Sequence, residues 1–281
     1  FDIVDEALGF SLTNIILDGP DKELKLTQNT QPAIMTVGVC IFNVLNQEFE
    51  LNLNSAKFFA GHSLGEYTAL VCSGSITIER AAYLLHERGK AMQNSVPDGQ
   101  GAMMAILGMN VNEVEKEINL LPKEKVCEIA NDNSNGQVVV SGKKEVIGIL
   151  NENLKKKKKK TIFLPVSAPF HCSLMKKAAE NMRDKIENTN FLKPKPNIIS
   201  NVTAKEEIDV NRIKPLLIDQ ITSRVRWRES VEYVQSDSES MAVMEVPEQD
   251  EFNFLRFIHK PEIYNLEKDN NRSVSSKHRS V

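Results

Sequence analysis

The chain has 281 residues, 41% of them hydrophobic and 26% charged, which is ample for a large core in one or two domains. A formal charge of −3 excludes a global field that would draw it to nucleic acid or to a membrane. The longest mostly apolar stretch, 33–45, is too short to span a bilayer and suits a buried helix. Cys40, Cys72, Cys127 and Cys172 lie far apart with no CxxC, so they read as reduced core residues of an intracellular protein, not as a disulfide or zinc framework.

Residues 2–45 read as helices joined by short loops, the first over 2–10. The segment 30–33 (TQPA) opens the apolar helix, with Pro32 in its first turn. A short apolar run at 57–60 reads as a buried strand. Residues 61–67 then read GHSLGEY, a Gly-x-Ser-x-Gly pattern with Ser63 between Gly61 and Gly65. With a strand before it and an apolar helix over 66–73 after it, this pattern makes a nucleophile elbow, a sharp strand-to-helix turn that presents a serine hydroxyl. A side chain at either glycine is expected to clash in so tight a turn. Glu66 falls in the first helical turn, where a negative charge suits the dipole. The plainer alternative is a tight turn with an idle serine. A second helix covers 77–95, with Ala82, Leu85, Gly89 and Met92 on one face.

From 101 the pattern shortens into a strand (102–109), a helix (112–120), strands at 125–130 and 137–141, a helix (143–153) and a strand (161–166). This βαββαβ order is that of a ferredoxin-like subdomain, read as an insertion over 101–167. The run of six lysines at 155–160 reads as a solvated loop insertion. The larger body, 1–100 and 168–265, resumes with helices at 173–186, 210–222 and 227–234 and strands at 197–202 and 241–246. Strands alternating with helices imply an α/β fold, a hydrolase-like, mostly parallel sheet flanked by helices. Residues 266–281 have almost no apolar content and are expected to be disordered.

A serine hydroxyl needs a base. Of five histidines, His278 is in the tail and His259 in a charged stretch. His86 is mid-helix, a surface or packing residue, and His62 adjoins Ser63 and points elsewhere on the turn, where it could shape a pocket. His171 remains, on a loop (SAPFHC, 167–172) just before a helix at the seam of the two parts. It is the candidate base, with a capping or packing histidine as the alternative. No Asp stands out as a third member, and a backbone carbonyl could orient the imidazole. Arg88, on the helix after the elbow, could hold a carboxylate in a bidentate pair; spacing alone favours a surface arginine paired with Glu87 or a neighbour. Asn131, Asn133 and Gly136 sit at a strand-to-strand turn, where such residues are ordinary.

These residues resemble the malonyl-CoA:acyl carrier protein transacylases of dissociated fatty acid synthesis. The resemblance runs from Phe1 to about Val246 through TQPAIMT (30–36), AGHSLGEYTALVCSG (60–74), ERGKAMQ (87–93), GAMMAILG (101–108), NDNSNGQVVVSG (131–142), LPVSAPFHCSLMKKAA (164–179) and RWRESVEY (226–233). It implies malonyl transfer from malonyl-CoA to the phosphopantetheine thiol of acyl carrier protein. Ser63 would be the acyl-carrying nucleophile and His171 its base. Arg88 would bind the malonyl carboxylate, Leu64 would supply an oxyanion amide, and Asn131 and Asn133 would line the cleft, with His62 and Phe170 beside the substrate. Phe170 is expected to crowd an α-methyl group and favour malonyl over methylmalonyl. No bound cofactor and no metal are implied. Acyl carrier protein and a coenzyme A thioester are the partners of a monomer that takes no nucleic acid or membrane. Carrier docking falls to Lys176, Lys177, Arg224, Arg226 and Arg228 by charge steering.

In the family a first strand and a Gly-Gln-Gly-Ser-Gln-type loop precede the place matched by Phe1, and a Gly-Pro-Gly-type turn follows the place matched by Val246. The resemblance implies that the first supplies the second oxyanion amide and the second the carbonyl behind His171. The chain as given is therefore expected to be a weakened enzyme or a fragment of an active one. The lysine run and asparagine-rich stretches point to an AT-rich lineage and so to a plastid-like compartment. The rival readings are a serine esterase or thioesterase, which needs no arginine, a non-catalytic carrier-protein binder, and a domain cut from a polyketide synthase.

Overall fold

The computed structural model describes residues 1–49, 51–122, 126–166 and 168–236, together with the backbone of two strands at 242–245 and 256–259. The tail expected at 266–281, His278 and the side chain of His259 lie outside the described residues. Four helices open the chain: α1 (Asp2–Leu8), α2 (Leu12–Asp18), the single turn α3 (Asp21–Leu24) and the long α4 (Thr27–Gln47). Strand β1 (Phe58–Ala60) leads through the elbow into α5 (Gly65–Cys72) and then α6 (Ile78–Gln93). The middle of the chain forms β2 (Gly101–Leu107), α7 (Val111–Ile118), β3 (Cys127–Ser134), β4 (Gln137–Lys143), α8 (Lys144–Lys156) and β5 (Lys160–Phe163). The remainder is α9 (Lys176–Glu187), β6 (Asn197–Ile199), β7 (Glu206–Glu207), α10 (Val210–Gln220), α11 (Trp227–Ser236) and an antiparallel pair, β8 (Ala242–Glu245) with β9 (Arg256–His259).

β1 pairs in parallel with β6, and β6 pairs antiparallel with β7. The expected mostly parallel sheet is thus, among the described residues, one parallel pair with an antiparallel edge. The reason is local. Ala204 turns the chain with φ 54°, and the Ser200 amide meets the Lys205 carbonyl, so β7 folds straight back on β6 as a hairpin must. Helices cover this sheet, and the core around it joins Tyr67, Leu70, Leu84, Leu85, Met182 and Leu217. Each such side chain, fully buried, contributes about 1.5–3 kcal/mol by leaving water.

The middle elements build one antiparallel sheet in the order β3-β4-β2-β5. Alternation along β2 sorts its side chains to two faces. Met104 and Ile106 meet Val114 of α7 and Val146, Ile147 and Leu150 of α8. Met103 and Ala105 face the other way and pack with Leu164, Val166 and Phe170, directly before His171. The end of β3 is stitched to the rest of the chain. The Asp132 amide donates to the Val225 carbonyl (2.9 Å), and the Val225 amide donates to the Ala130 carbonyl (2.8 Å). The Arg228 guanidinium clasps the buried Asp132 carboxylate at 2.8 Å.

Two expectations fail for instructive reasons. The apolar helix starts at Thr27, so Pro32 lies inside it and not in its first turn. Proline offers no N–H to the carbonyl four residues back, that of Gln28. His86 Nδ1 takes that carbonyl instead, at 2.8 Å, and its ring packs on Phe10. His86 therefore satisfies the carbonyl that Pro32 leaves bare within a continuous helix, and burial chiefly lowers its pKa, favouring the uncharged ring. The lysine run is no loop insertion. Lys155 and Lys156 end α8, where positive charge suits the dipole, Lys158 turns the chain at φ 56°, and Lys160 starts β5. Lys157 pairs with Glu117 at 2.6 Å.

Candidate active site

Phe58 to Ala60 run into Gly61 and the chain reverses at Ser63, whose φ of 49° lies in the left-handed region. The turn leaves no room at Gly61, where an added Cβ would lie 1.9 Å from the Gly65 carbonyl oxygen. Gly65 is different, since a Cβ there would meet nothing within 4 Å, so only the first glycine is sterically demanded. Asn201, just beyond β6, latches the turn from the adjacent strand. Its Oδ1 accepts from the Ser63 amide at 2.6 Å and its Nδ2 donates to the Gly61 carbonyl at 2.8 Å. Leu64, buried, opens the helix that follows.

His171 also sits at positive φ, 56°, on a loop held at several points. Gly101 lies so close to Pro169 that a Cβ would approach the proline ring to 2.3 Å. Glu128 of β3 accepts from the Ser173 amide at 3.0 Å and also from the Ser173 hydroxyl. The imidazole Nε2 lies 2.7 Å from Ser63 Oγ, and Nδ1 lies 2.9 Å from the Gln220 carbonyl oxygen. A carbonyl can only accept, so Nδ1 carries the proton and Nε2 presents its lone pair to the serine hydroxyl. The carbonyl behind His171 thus comes from the end of α10, upstream of Trp227, and not from the region after Val246 where it was expected. Both residues are buried, Ser63 3% and His171 4% exposed.

Arg88 is 1% exposed, so it is not the surface arginine paired with Glu87; Glu87 instead meets Lys90 and Lys185. Its guanidinium donates to Gln31 Oε1 (2.6 Å), Gln220 Oε1 (2.9 Å) and Ser63 Oγ (3.0 Å). Gly89 makes this reach possible. A Cβ there would come 2.4 Å from Gln28 Cα, so only glycine lets α4 approach α6 closely enough for Gln31 to meet Arg88. A cation beside a serine oxygen and within reach of its surroundings favours an alkoxide and an acyl group ending in a carboxylate.

His62 points away from Ser63. Its Nε2 lies 3.0 Å from Asn133 Oδ1 and 3.4 Å from Asn131 Nδ2, and its ring meets Trp227 edge-on. The two asparagines stand on the bulged end of β3 and both reach His62, whereas they were expected in the turn; the turn itself falls at Gly136, with φ 111°. Phe170 packs beneath the site against both cores. The structure therefore brings Ser63, His171 and Arg88 into direct contact. Leu64 and Phe170 pack in the adjoining cores, and His62 contacts Asn131 and Asn133 on the far side of the elbow.

Sequence reading missed Gln31, Asn201 and Gln220, which supply most of the polar contacts. Glu66, expected only to suit a helix dipole, is 1% exposed behind the elbow. Its Oε2 accepts from Gln220 Nε2 (2.7 Å) and from the Asn201 amide (3.2 Å). Burial pushes its carboxyl up to about 7, against these hydrogen bonds and the Arg88 charge, which pull it down. Between pH 4.5, its ordinary value, and about 7 the unfolded chain releases this proton while the folded chain keeps it. Folding stability therefore declines as pH rises through that window, by up to about 3 kcal/mol, and levels off above it. Glu66→Gln removes the titration, so the stability of this variant relative to the parent should increase from pH 4.5 to pH 8 in denaturant unfolding. A pH-independent difference would mean that the carboxyl ionises as it does in the unfolded chain.

Burial raises the Cys72 and Cys127 thiols to about 12 and Cys172 to about 11, and all four cysteines are free thiols. No group of three or more His, Cys, Asp or Glu that could hold a metal occurs among the described residues, and no helix among them is long and apolar enough to cross a membrane.

Residues 2–249 match the acyl transferase domain family. The malonyl CoA-acyl carrier protein transacylase of Haemophilus influenzae is 37% identical over 238 residues, 84% of this chain and 76% of the relative. The crystal structure of the acyl-carrier-protein-S-malonyltransferase from Bartonella henselae superposes with a TM-score of 0.81 at 41% identity, over 85% of this chain and 76% of that one. A malonyl-transacylase solved in complex with its type II PKS acyl-carrier protein superposes with a TM-score of 0.79 at 35% identity, over 84% and 76%. The chain belongs to the family of the malonyl CoA-acyl carrier protein transacylases, within the acyl transferase domains.

Proposed function

We propose that this protein transfers the malonyl group from malonyl-CoA to the phosphopantetheine thiol of acyl carrier protein, for fatty acid synthesis, through a malonyl ester of Ser63. The observation that carries the reading is the contact of one serine oxygen with two functional partners, His171 Nε2 at 2.7 Å and the Arg88 guanidinium at 3.0 Å. His171 takes the Ser63 proton as Oγ attacks the thioester carbonyl, and coenzyme A leaves as the thiol when His171 returns the proton. In the second half the carrier thiol gives its proton to His171, attacks the ester and frees Ser63. The Leu64 amide, first after the nucleophile, donates to the developing oxyanion. Arg88 binds the malonyl carboxylate in an ion pair while Gln31 and Gln220 hold its guanidinium in place. His62, braced by Asn131 and Asn133, and Phe170 shape the acyl cleft, and Phe170 disfavours an α-methyl branch.

We further read 101–167 as the inserted ferredoxin-like unit, with 1–100 and 168–265 as the larger body, working as a monomer. The unit's element order and antiparallel pairing support this. Of the five residues considered for carrier docking, three already hold carboxylates. Arg224 meets Glu115, Arg226 meets Glu229, and Arg228 meets Asp132 and Glu232. Lys176 and Lys177 stay exposed at the start of α9, five and six residues past His171, and suit an acidic carrier. The plastid-like compartment draws no support from relatives that are bacterial.

Incubation with malonyl-CoA followed by intact-mass and peptide mass analysis tests the reading. A malonyl adduct on Ser63 that is discharged by added holo acyl carrier protein is expected. No adduct would reduce the protein to a binder, and an adduct lost to water but not to the carrier would make it a thioesterase.

A further inference from the structure

We propose that Glu66 is a positioning residue that sets acyl selectivity by fixing the polarity of the Gln220 side-chain amide. The inference rests on the transferase reading above. Gln220 is the hub of the site. Its backbone carbonyl orients His171, and its side chain touches Ser63, Arg88 and Glu66. A glutamine amide can be turned over at almost no steric cost, so its neighbours decide which end points where.

Here Nε2 faces two acceptors, the Ser63 carbonyl at 3.0 Å and Glu66 Oε2 at 2.7 Å. Oε1 consequently faces the Arg88 guanidinium at 2.9 Å. Turned over, the amide would set its NH₂ against a guanidinium that has only donors, and its oxygen against two acceptors. Without Glu66 the Nε2 end would keep one acceptor in place of two, the Ser63 carbonyl, and the orientation would rest on that carbonyl and on the mobile Arg88 side chain itself. The guanidinium would then lose its fixed seat, and a misplacement of about 1 Å costs about 10²-fold in rate.

The same Glu66 oxygen accepts from the Asn201 amide, whose side chain latches Ser63, so one buried carboxyl group steadies both the elbow and the arginine. The task needs an acceptor oxygen, not a charge. A carboxyl pushed by burial to about 7 offers that oxygen in either protonation state.

The test compares the parent chain with Glu66→Leu and Glu66→Gln, measuring kcat and KM for malonyl-CoA and acetyl-CoA with holo acyl carrier protein. Glu66→Leu should lower the malonyl-to-acetyl ratio of kcat/KM by about 10²-fold, chiefly through the KM for malonyl-CoA. Glu66→Gln, which keeps an acceptor oxygen, should restore the ratio to within about tenfold of the parent. If Glu66→Leu slows both substrates alike, or Glu66→Gln loses the ratio as fully as Glu66→Leu, the proposal is overturned. Should Glu66→Leu not fold, Gln220→Met decides. It keeps the backbone carbonyl on His171 but no amide, and unchanged selectivity there would also overturn the proposal. A parent that forms no malonyl ester on Ser63 would instead sink the transferase reading itself, a separate outcome.

Discussion

Replacing His171 by alanine is expected to slow malonyl transfer on the order of 10⁴- to 10⁶-fold, the range seen when one member of a nucleophile–base unit is removed. The imidazole is the group that contacts Ser63 Oγ at 2.7 Å with a lone pair aimed by the Gln220 carbonyl. The residual rate would come from Arg88 and the backbone amides around the elbow, which stay in place. Ser63→Ala should fall as far and leave no adduct in the mass spectrum, and the double variant should be little worse than either alone, because the two act as one unit. Single-turnover transfer of labelled malonyl to the carrier measures this. A loss of less than tenfold in His171→Ala would remove the imidazole from the mechanism.

Arg88→Ala is expected to reduce the preference for malonyl-CoA over acetyl-CoA by about 10²- to 10⁴-fold, the equivalent of the roughly 3–5 kcal/mol lost when one side of a buried ion pair is deleted. The cost should also reach the fold. Gln31 Oε1 and Gln220 Oε1 would lose their donor inside a dry site, at about 1–3 kcal/mol for each acceptor left bare. Arg88→Lys should recover little, since an ammonium cannot span Gln31, Gln220 and Ser63 at once as the planar fork does. Competition between the two thioesters, read by mass of the Ser63 ester, checks the ratio. An unchanged ratio would favour the esterase reading, which has no use for this arginine.

The parts of the site that were legible in the sequence are those carried by local spacing. Gly-x-Ser-x-Gly between an apolar strand and an apolar helix fixes the place of Ser63, because the backbone path itself demands Gly61. His171 was reachable by elimination among five histidines. Arg88 was ambiguous on spacing, since a lone arginine on a helix says nothing about which side it faces, and its role rested on resemblance. Gln31, Asn201 and Gln220 were not legible. An amide has no titration, no metal preference and no fixed spacing to a partner, and these lie 57, 138 and 132 residues from the groups they hold. The fold shows the same division. The helix over 77–95 and the βαββαβ order followed from periodicity, while the start of α4 did not, because the carbonyl left bare by Pro32 is satisfied by His86 from another helix.

The left-handed backbone at both Ser63 and His171 has a consequence for how this protein can evolve. Neither residue is glycine, so each conformation stores about 1–3 kcal/mol of strain that the surrounding bonds must restrain. These two turns share that strain with the turns at Lys158 and Ala204, but here the strained residues are the proposed nucleophile and base, so easing them would trade turnover for robustness. Selection for heat tolerance would find its gains on the outer helices, and leave these two turns as they are.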